Sequence, residues 1–158
     1  MIDTTVVGFL ESMMAKLRVR GVDVTGRILD HIAYTTSTAT EYERIKKEWG
    51  RHGKFVHEAI VDGRRVGIMK LVKPLQFRKF QIDVLEVIEP KKDQMMTSGW
   101  EHGEFVIEEG FAKFVKKYPD LDWDRKSMDN EKFPNLKLRL SERLVVKFHP
   151  KGILEMIG

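Results

Sequence analysis

Two places in the chain begin alike. Asp30-His31 and Glu101-His102 each open a stretch of strand-like alternation that a helical stretch follows. Alternation puts successive side chains on opposite faces of a strand, whereas a period of about 3.6 residues gathers them on one face of a helix. Asp30 to Thr36 therefore reads as a strand. Tyr42, Ile45 and Trp49 read as the buried stripe of a helix, and Thr38 and Glu41 have the spacing of a reciprocal cap at its start. Phe55 to Val61 and Arg64 to Leu71 make two strands around Asp62-Gly63, a two-residue hairpin signal, and Pro74 then breaks the run. Phe80 to Ile88 is a further strand, closed by Pro90 before a polar linker over Lys91 to Gly99.

The second stretch is shorter. It holds a strand from Trp100 to Ile107 and a helix from Glu108 to Tyr118, with acids first and Lys116-Lys117 last as the helix dipole prefers. A charged loop from Asp120 to Asn135 follows, then a hairpin of Leu136 to Leu140 and Arg143 to His149. Ahead of everything lies an amphipathic helix built on Val6, Leu10, Met13, Met14 and Leu17, stopped by Gly21. This order predicts an α+β chain of two similar modules. The expected organisation is one domain over 1–158, with a helical segment at 1–27, a first module at 28–90 and a less complete second at 100–158.

Composition removes several functions. Cys is absent, so no disulfide, thiolate zinc site or cysteine nucleophile exists, and a reducing cytoplasm is the expected home. No apolar run is long enough for a membrane span, and the first residues lack a secretory pattern. The net charge of +4 comes from short basic pairs spread along the chain, whereas a nucleic-acid binder gathers them on one stripe. A nucleic-acid partner is therefore not expected. There is no phosphate-binding glycine loop and no G-x-S-x-G elbow.

Strand parity selects the chemistry. Ile82, Val84, Glu86 and Ile88 share one face, and an ionised carboxylate on an apolar face needs a partner. If Ile32 and Tyr34 pack under the helix, His31 and Ala33 take the opposite face; if Phe105 and Ile107 pack, His102 and Glu104 do the same. His31, Glu86 and His102 then share a surface, a donor set that suits a divalent metal. Their spacing matches no local metal motif, and spacing alone favours ordinary buried or hydrogen-bonding histidines. His52 and His57 read as exposed, Trp49 and Trp123 as packing residues, and His149 has parity opposite to Val146 and Phe148.

The strings Asp30-His31-Ile32-Ala33-Tyr34, Ile82-Asp83-Val84-Leu85-Glu86, Gly99-Trp100-Glu101-His102 and Val146-Lys147-Phe148-His149-Pro150 resemble the YecM-like family of the vicinal-oxygen-chelate superfamily, which includes glyoxalases, bleomycin-resistance proteins and dihydroxybiphenyl dioxygenases. The resemblance covers almost the whole chain. It implies paired βαβββ modules whose curled mixed sheets enclose a pocket, with a divalent metal (Zn, Ni, Mn or Fe) held by His31, Glu86 and His102. The fourth position, matched to Glu86 by its distance from Pro90, falls on Val146, which has no donor, leaving water, substrate or Glu155.

The function expected is a metal-dependent enzyme of isomerase, lyase or oxygenase type acting on a small oxygen-bearing molecule. Glu104 is its candidate general base, with a salt-bridged surface carboxylate the competing reading, and Lys147 or Arg139 would bind an anionic substrate unless they are simply solvated. The alternative is a non-catalytic protein that binds or sequesters a small molecule. A monomer or a homodimer fits either.

Overall fold

Seven strands join in one mixed sheet. The structure, a computed structural model, describes residues 2–158. In chain order the elements are α1 (Val6–Val19), β1 (Leu29–Thr35), α2 (Ala39–Trp49), β2 (Gly53–Val61), β3 (Arg64–Phe77), β4 (Phe80–Ile88), β5 (Gly99–Val106), α3 (Phe111–Lys117), β6 (Leu136–Ser141), β7 (Leu144–His149) and α4 (Ile153–Ile157). The sheet order is β2-β3-β4-β1-β5-β7-β6. β1 runs parallel to β4, β5 runs parallel to β7, and β1 and β5 meet antiparallel at the centre. That central pair relates the halves by an approximate twofold, with Ile32 opposite Gly103, His31 opposite Glu104 and Ala33 opposite His102. The second half has no strand equivalent to β2 among the described residues; an isolated bridge between Asp124 and Lys137 stands at that edge.

The α+β class and mixed sheet agree with the sequence reading, and so does the hairpin. Asp62 and Gly63 both adopt positive φ, 51° and 78°, the left-handed pair that a two-residue turn requires. Three details differ. β3 continues past Pro74, because the proline falls where the β3–β4 register breaks between Lys70 and Leu75, so no ladder bond is lost to it. Ile82, just beyond that break, joins the core under the helices instead of sharing a face with Val84. The cap of α2 is half reciprocal: Thr38 Oγ1 accepts from the Glu41 amide at 3.0 Å, but the Glu41 carboxylate accepts from the Ser37 amide, one residue before Thr38.

α1, α2 and α3 cover one face of the sheet. α1 lies over β5 and β6, and its closest approach is at Gly103, where a Cβ would stand 2.8 Å from Met13 Sδ. Phe148 of β7, fully buried, anchors the second half among Phe105, Phe114 and Trp123, with ring centroids 5.9, 4.7 and 5.8 Å away. Trp49 and Trp123 are both buried in this core. The opposite face is lined by Ala33, Val66 and Ile88, and by Ile68 and Val84, on which Ile153 of α4 packs.

α3 starts later than expected, at Phe111, so Glu108 and Glu109 precede it instead of filling its first turn. Glu109 is held by Arg27 through two hydrogen bonds of 2.6 and 2.8 Å and by Lys117 at 2.6 Å. Arg27 and then Lys117 lower its pKa to about 2. A pKa depressed on folding contributes stability that is complete above the unfolded carboxylate value, about 4.3, and disappears as pH falls through the folded value. Glu109→Gln is expected to lose on the order of 2 kcal/mol at pH 7, from about 1.4 kcal/mol per pKa unit discounted for partial solvation. Denaturant unfolding of both proteins at pH 7, 4 and 2.5 checks this: the gap should shrink across the last two.

Candidate metal centre

Two β-bulges build the site. In the β1–β5 ladder, Asp30 is the extra residue between Leu29 and His31, and Glu101 is the extra residue between Trp100 and His102. A bulge re-aims the side chains around it. Here each acid turns back on the histidine that follows it. Asp30 Oδ2 hydrogen-bonds His31 Nδ1 at 2.7 Å, whereas Glu101 Oε1 lies 3.6 Å from His102 Nδ1, near enough for charge but not for a hydrogen bond. The two pairs occupy equivalent places but only the first is closed. A carboxylate bonded to Nδ1 fixes the tautomer of His31 and turns its Nε2 toward whatever lies ahead.

Ahead of both Nε2 atoms lie two carboxylates. His31 Nε2 is 3.3 Å from Glu86 Oε2 and 3.4 Å from Glu104 Oε1, and His102 Nε2 is 3.8 Å from Glu86 Oε1 and 3.4 Å from Glu104 Oε1. The structure therefore brings His31, Glu86, His102 and Glu104 together on the face away from α1–α3, all four of them buried. Neither Nε2 atom has a hydrogen-bond partner. Donors about 2.1 Å from one ion stand about 3.0–3.4 Å apart at octahedral and tetrahedral angles, so this set fits a divalent cation with small adjustments. The chemistry fits as well, since two imidazoles and two carboxylates suit Zn, Fe, Mn or Ni.

Electrostatics maintain the charges. Burial opposes charge on every member, yet His31, Lys147 and His102 hold the Glu104 carboxyl well below the usual range, and His31 and His102 hold Glu86 below it. Burial opposes ionisation of Glu101 too, but His102, Lys147 and Arg64 bring it to about 2. In turn, Glu104, Asp30 and Glu86 overcome burial and raise His31 well above the ordinary histidine value.

Two neighbours, Lys147 and His149, stand at places that sequence reasoning did not give them. Matching Glu86 to Val146 by distance from a proline is one residue out of register. Glu86 lies beside Ala33 in the β1–β4 ladder, Lys147 lies beside Glu104 in the β5–β7 ladder, and the twofold equates Ala33 with Glu104. The equivalent of Glu86 is therefore Lys147, and the second carboxylate has moved to the central strand as Glu104. Val146 points into the core. His149, fully buried, places Nδ1 3.3 Å from Glu104 Oε2 and Nε2 3.8 Å from Asp30 Oδ2, and its parity opposite to Val146 and Phe148 was the available signal. Other candidates stand apart. Glu155 is exposed on α4, Arg139 is exposed with Nη1 donating to the Glu142 carbonyl, and His52 and His57 are half-buried instead of exposed. Two clefts of about 470 and 450 Å³ are lined by residues such as Arg18 and Arg78, or Phe9 and Trp100, and by none of the clustered residues.

The chain matches known proteins along its length. The family model described as "YecM protein" matches residues 2–158. Protein YecM of Escherichia coli (strain K12) is 24% identical over 169 residues, covering 95% of this chain and 87% of its own. A solved structural-genomics protein, Protein EC4020, superposes with a TM-score of 0.80 at 24% identity, covering 95% of this chain and 86% of that one. Streptomyces coelicolor methylmalonyl-CoA epimerase, solved in complex with 2-nitronate-propionyl-CoA, superposes with a TM-score of 0.51 at 16% identity over 77% of this chain and 92% of its own, which shows a shared glyoxalase-like fold. The chain belongs to the YecM family.

Proposed function

We propose that His31, Glu86, His102 and Glu104 hold a divalent metal ion, and that the protein is an enzyme acting on a small oxygen-bearing molecule. One observation carries this reading: two fully buried imidazoles aim their Nε2 atoms at two carboxylates, at 3.3–3.8 Å, in a space the size of one ion. Those contacts are longer than good hydrogen bonds, and an ion between the four groups would satisfy them all. When bound, a divalent ion supplies Lewis acidity toward adjacent oxygens of a substrate. Asp30 orients His31 through its hydrogen bond to Nδ1, Glu101 lies behind His102, and His149 faces the second oxygen of Glu104. Glu104 serves better as a ligand than as the general base, because its Oε1 is shared by both Nε2 atoms. The histidine rings are sealed, whereas the Glu86 and Lys147 side chains keep 11% and 20% exposure, so a small molecule enters from their side.

Calorimetric titration of metal-free protein with Zn(II), Ni(II), Mn(II) and Fe(II) tests the reading. At least one should bind at one ion per chain and release protons, because the ligating imidazoles are protonated beforehand. Affinity should rise with pH through and above the ordinary histidine value, as His31 and His102 are both raised. If none of the four ions binds, the protein is instead a metal-free binder of small molecules.

A further inference from the structure

Lys147 stands where the internal twofold would place the partner of Glu86. Among the described residues its Nζ has one carboxylate within salt-bridge distance, Glu104 Oε1 at 3.5 Å. That same oxygen faces both partnerless Nε2 atoms. Glu86 and Glu104 together balance a divalent ion. Once they do, the mostly buried ammonium of Lys147 has no counter-charge of its own. Lys137 lies directly opposite on β6, which adds a second positive charge on the same face, and like charges across a strand pair repel. Arg64, at the start of β3, is close enough to act on Glu101; its buried Nε has no partner, while its Nη1 donates to Met96 Sδ. Glu101 offsets one of these cations, but it lies against His102.

We infer that Lys147 selects an anionic substrate, a small carboxylate bearing an oxygen on the adjacent carbon, with Lys147 donating to its carboxylate beside the metal. This inference rests on the metal reading above. It accounts for the exchange across the twofold. A carboxylate at position 147 would complete the ligand set symmetrically, whereas Glu104 as ligand and Lys147 as cation leave an electropositive place beside the ion.

Two probes separate charge from chelation. Glycolate and glycolamide offer the same pair of vicinal oxygens, but only glycolate carries a charge. Titrated into the zinc-loaded protein, glycolate should bind at least about tenfold more tightly, as expected for a charge-assisted hydrogen bond in a sheltered site. Lys147→Gln should lower that ratio about tenfold, and Lys147→Arg should restore most of it. Zinc affinity should rise in Lys147→Gln, because a cation beside Glu104 has gone, so the two probes are compared at saturating zinc and their ratio, which a merely structural lysine would not move, is the deciding value. Lys147→Met, of similar length, replaces the Gln variant if a melting curve shows that variant unfolded. Equal affinity for the two probes, or an unchanged ratio in the lysine variants, overturns this inference and leaves the metal reading standing. Failure of the wild type to take any of the four ions overturns both.

Discussion

Glu86→Gln should weaken divalent-ion binding at least about 100-fold while leaving the fold intact. Glutamine keeps the size of the side chain and one carbonyl acceptor but removes the negative charge that faces both imidazoles through separate oxygens. Changing a residue that merely orients a ligand typically costs about 10–100-fold in affinity, so losing a charged ligand should reach the top of that range. The melting temperature of the metal-free variant should fall, because the Glu86 carboxylate, held ionised by His31 and His102, offsets their charge. With saturating metal the gap should widen, since the wild type gains stability from the ion and the variant does not. Metal titration and melting curves with and without metal give all four values. An unchanged ion affinity in a folded variant would remove Glu86 from the centre. Neither Arg78 nor Lys147 forms an ion pair with Glu86: Arg78 Nη2 binds Glu11 at 2.6 Å, and Lys147 Nζ lies 3.5 Å from Glu104 Oε1.

Phe148→Ala should cost about 3–5 kcal/mol, the usual range for emptying a fully buried aromatic position. At about 2–4 °C per kcal/mol for a chain of this size, the melting temperature should fall by about 10 °C. The ring touches β5 through Phe105, α3 through Phe114 and the loop before β6 through Trp123, so its removal loosens three elements at once. Phe148 also stands between Lys147 and His149 on the opposite face of the same strand. The variant should therefore lose metal affinity in addition to stability, whereas a core truncation remote from β7, such as Tyr42→Phe, should leave metal affinity unchanged. Thermal melts and a metal titration of both variants decide this. A Phe148→Ala protein with wild-type metal affinity would show that the centre is positioned by β1 and β5 alone.

Much of this was legible without coordinates because strand parity is a local property. Once Ile32 and Tyr34, or Phe105 and Ile107, are assigned to the core, the faces of His31, His102 and Glu104 follow, and the two acid–histidine strings mark equivalent places. What parity cannot supply is pairing. Whether Asp30 and Glu101 continue their strands or bulge out of them depends on the residues opposite, so their role behind the imidazoles is invisible until β1 and β5 are laid side by side. The place of Lys147 beside Glu104 is hidden from the sequence for the same reason. Counting from a proline placed Val146 against Glu86, while the parallel ladder places Lys147 there. Pro74 reads as a terminator in sequence and is a passenger in a ladder break in three dimensions. Local chemistry thus picked out most of the clustered side chains, and non-local register decided their partners.

The oxygen that steadies His31 has a second duty. Asp30 Oδ2 accepts from His31 Nδ1 and also, at 2.9 Å, from the backbone amide of Ile153, the first residue of α4, while Gly152 passes so close that a Cβ there would stand 2.6 Å from Asp30 Oδ1. The chain's final turn is therefore wired to an imidazole more than a hundred positions earlier. Anything that repositions that ring is felt by the tail, and by reciprocity anything that tugs on the tail is felt by the ring. Extensions fused after Gly158 are consequently poor choices for purifying or immobilising this protein, and a spectroscopic label on α4 is a good place from which to listen to the centre.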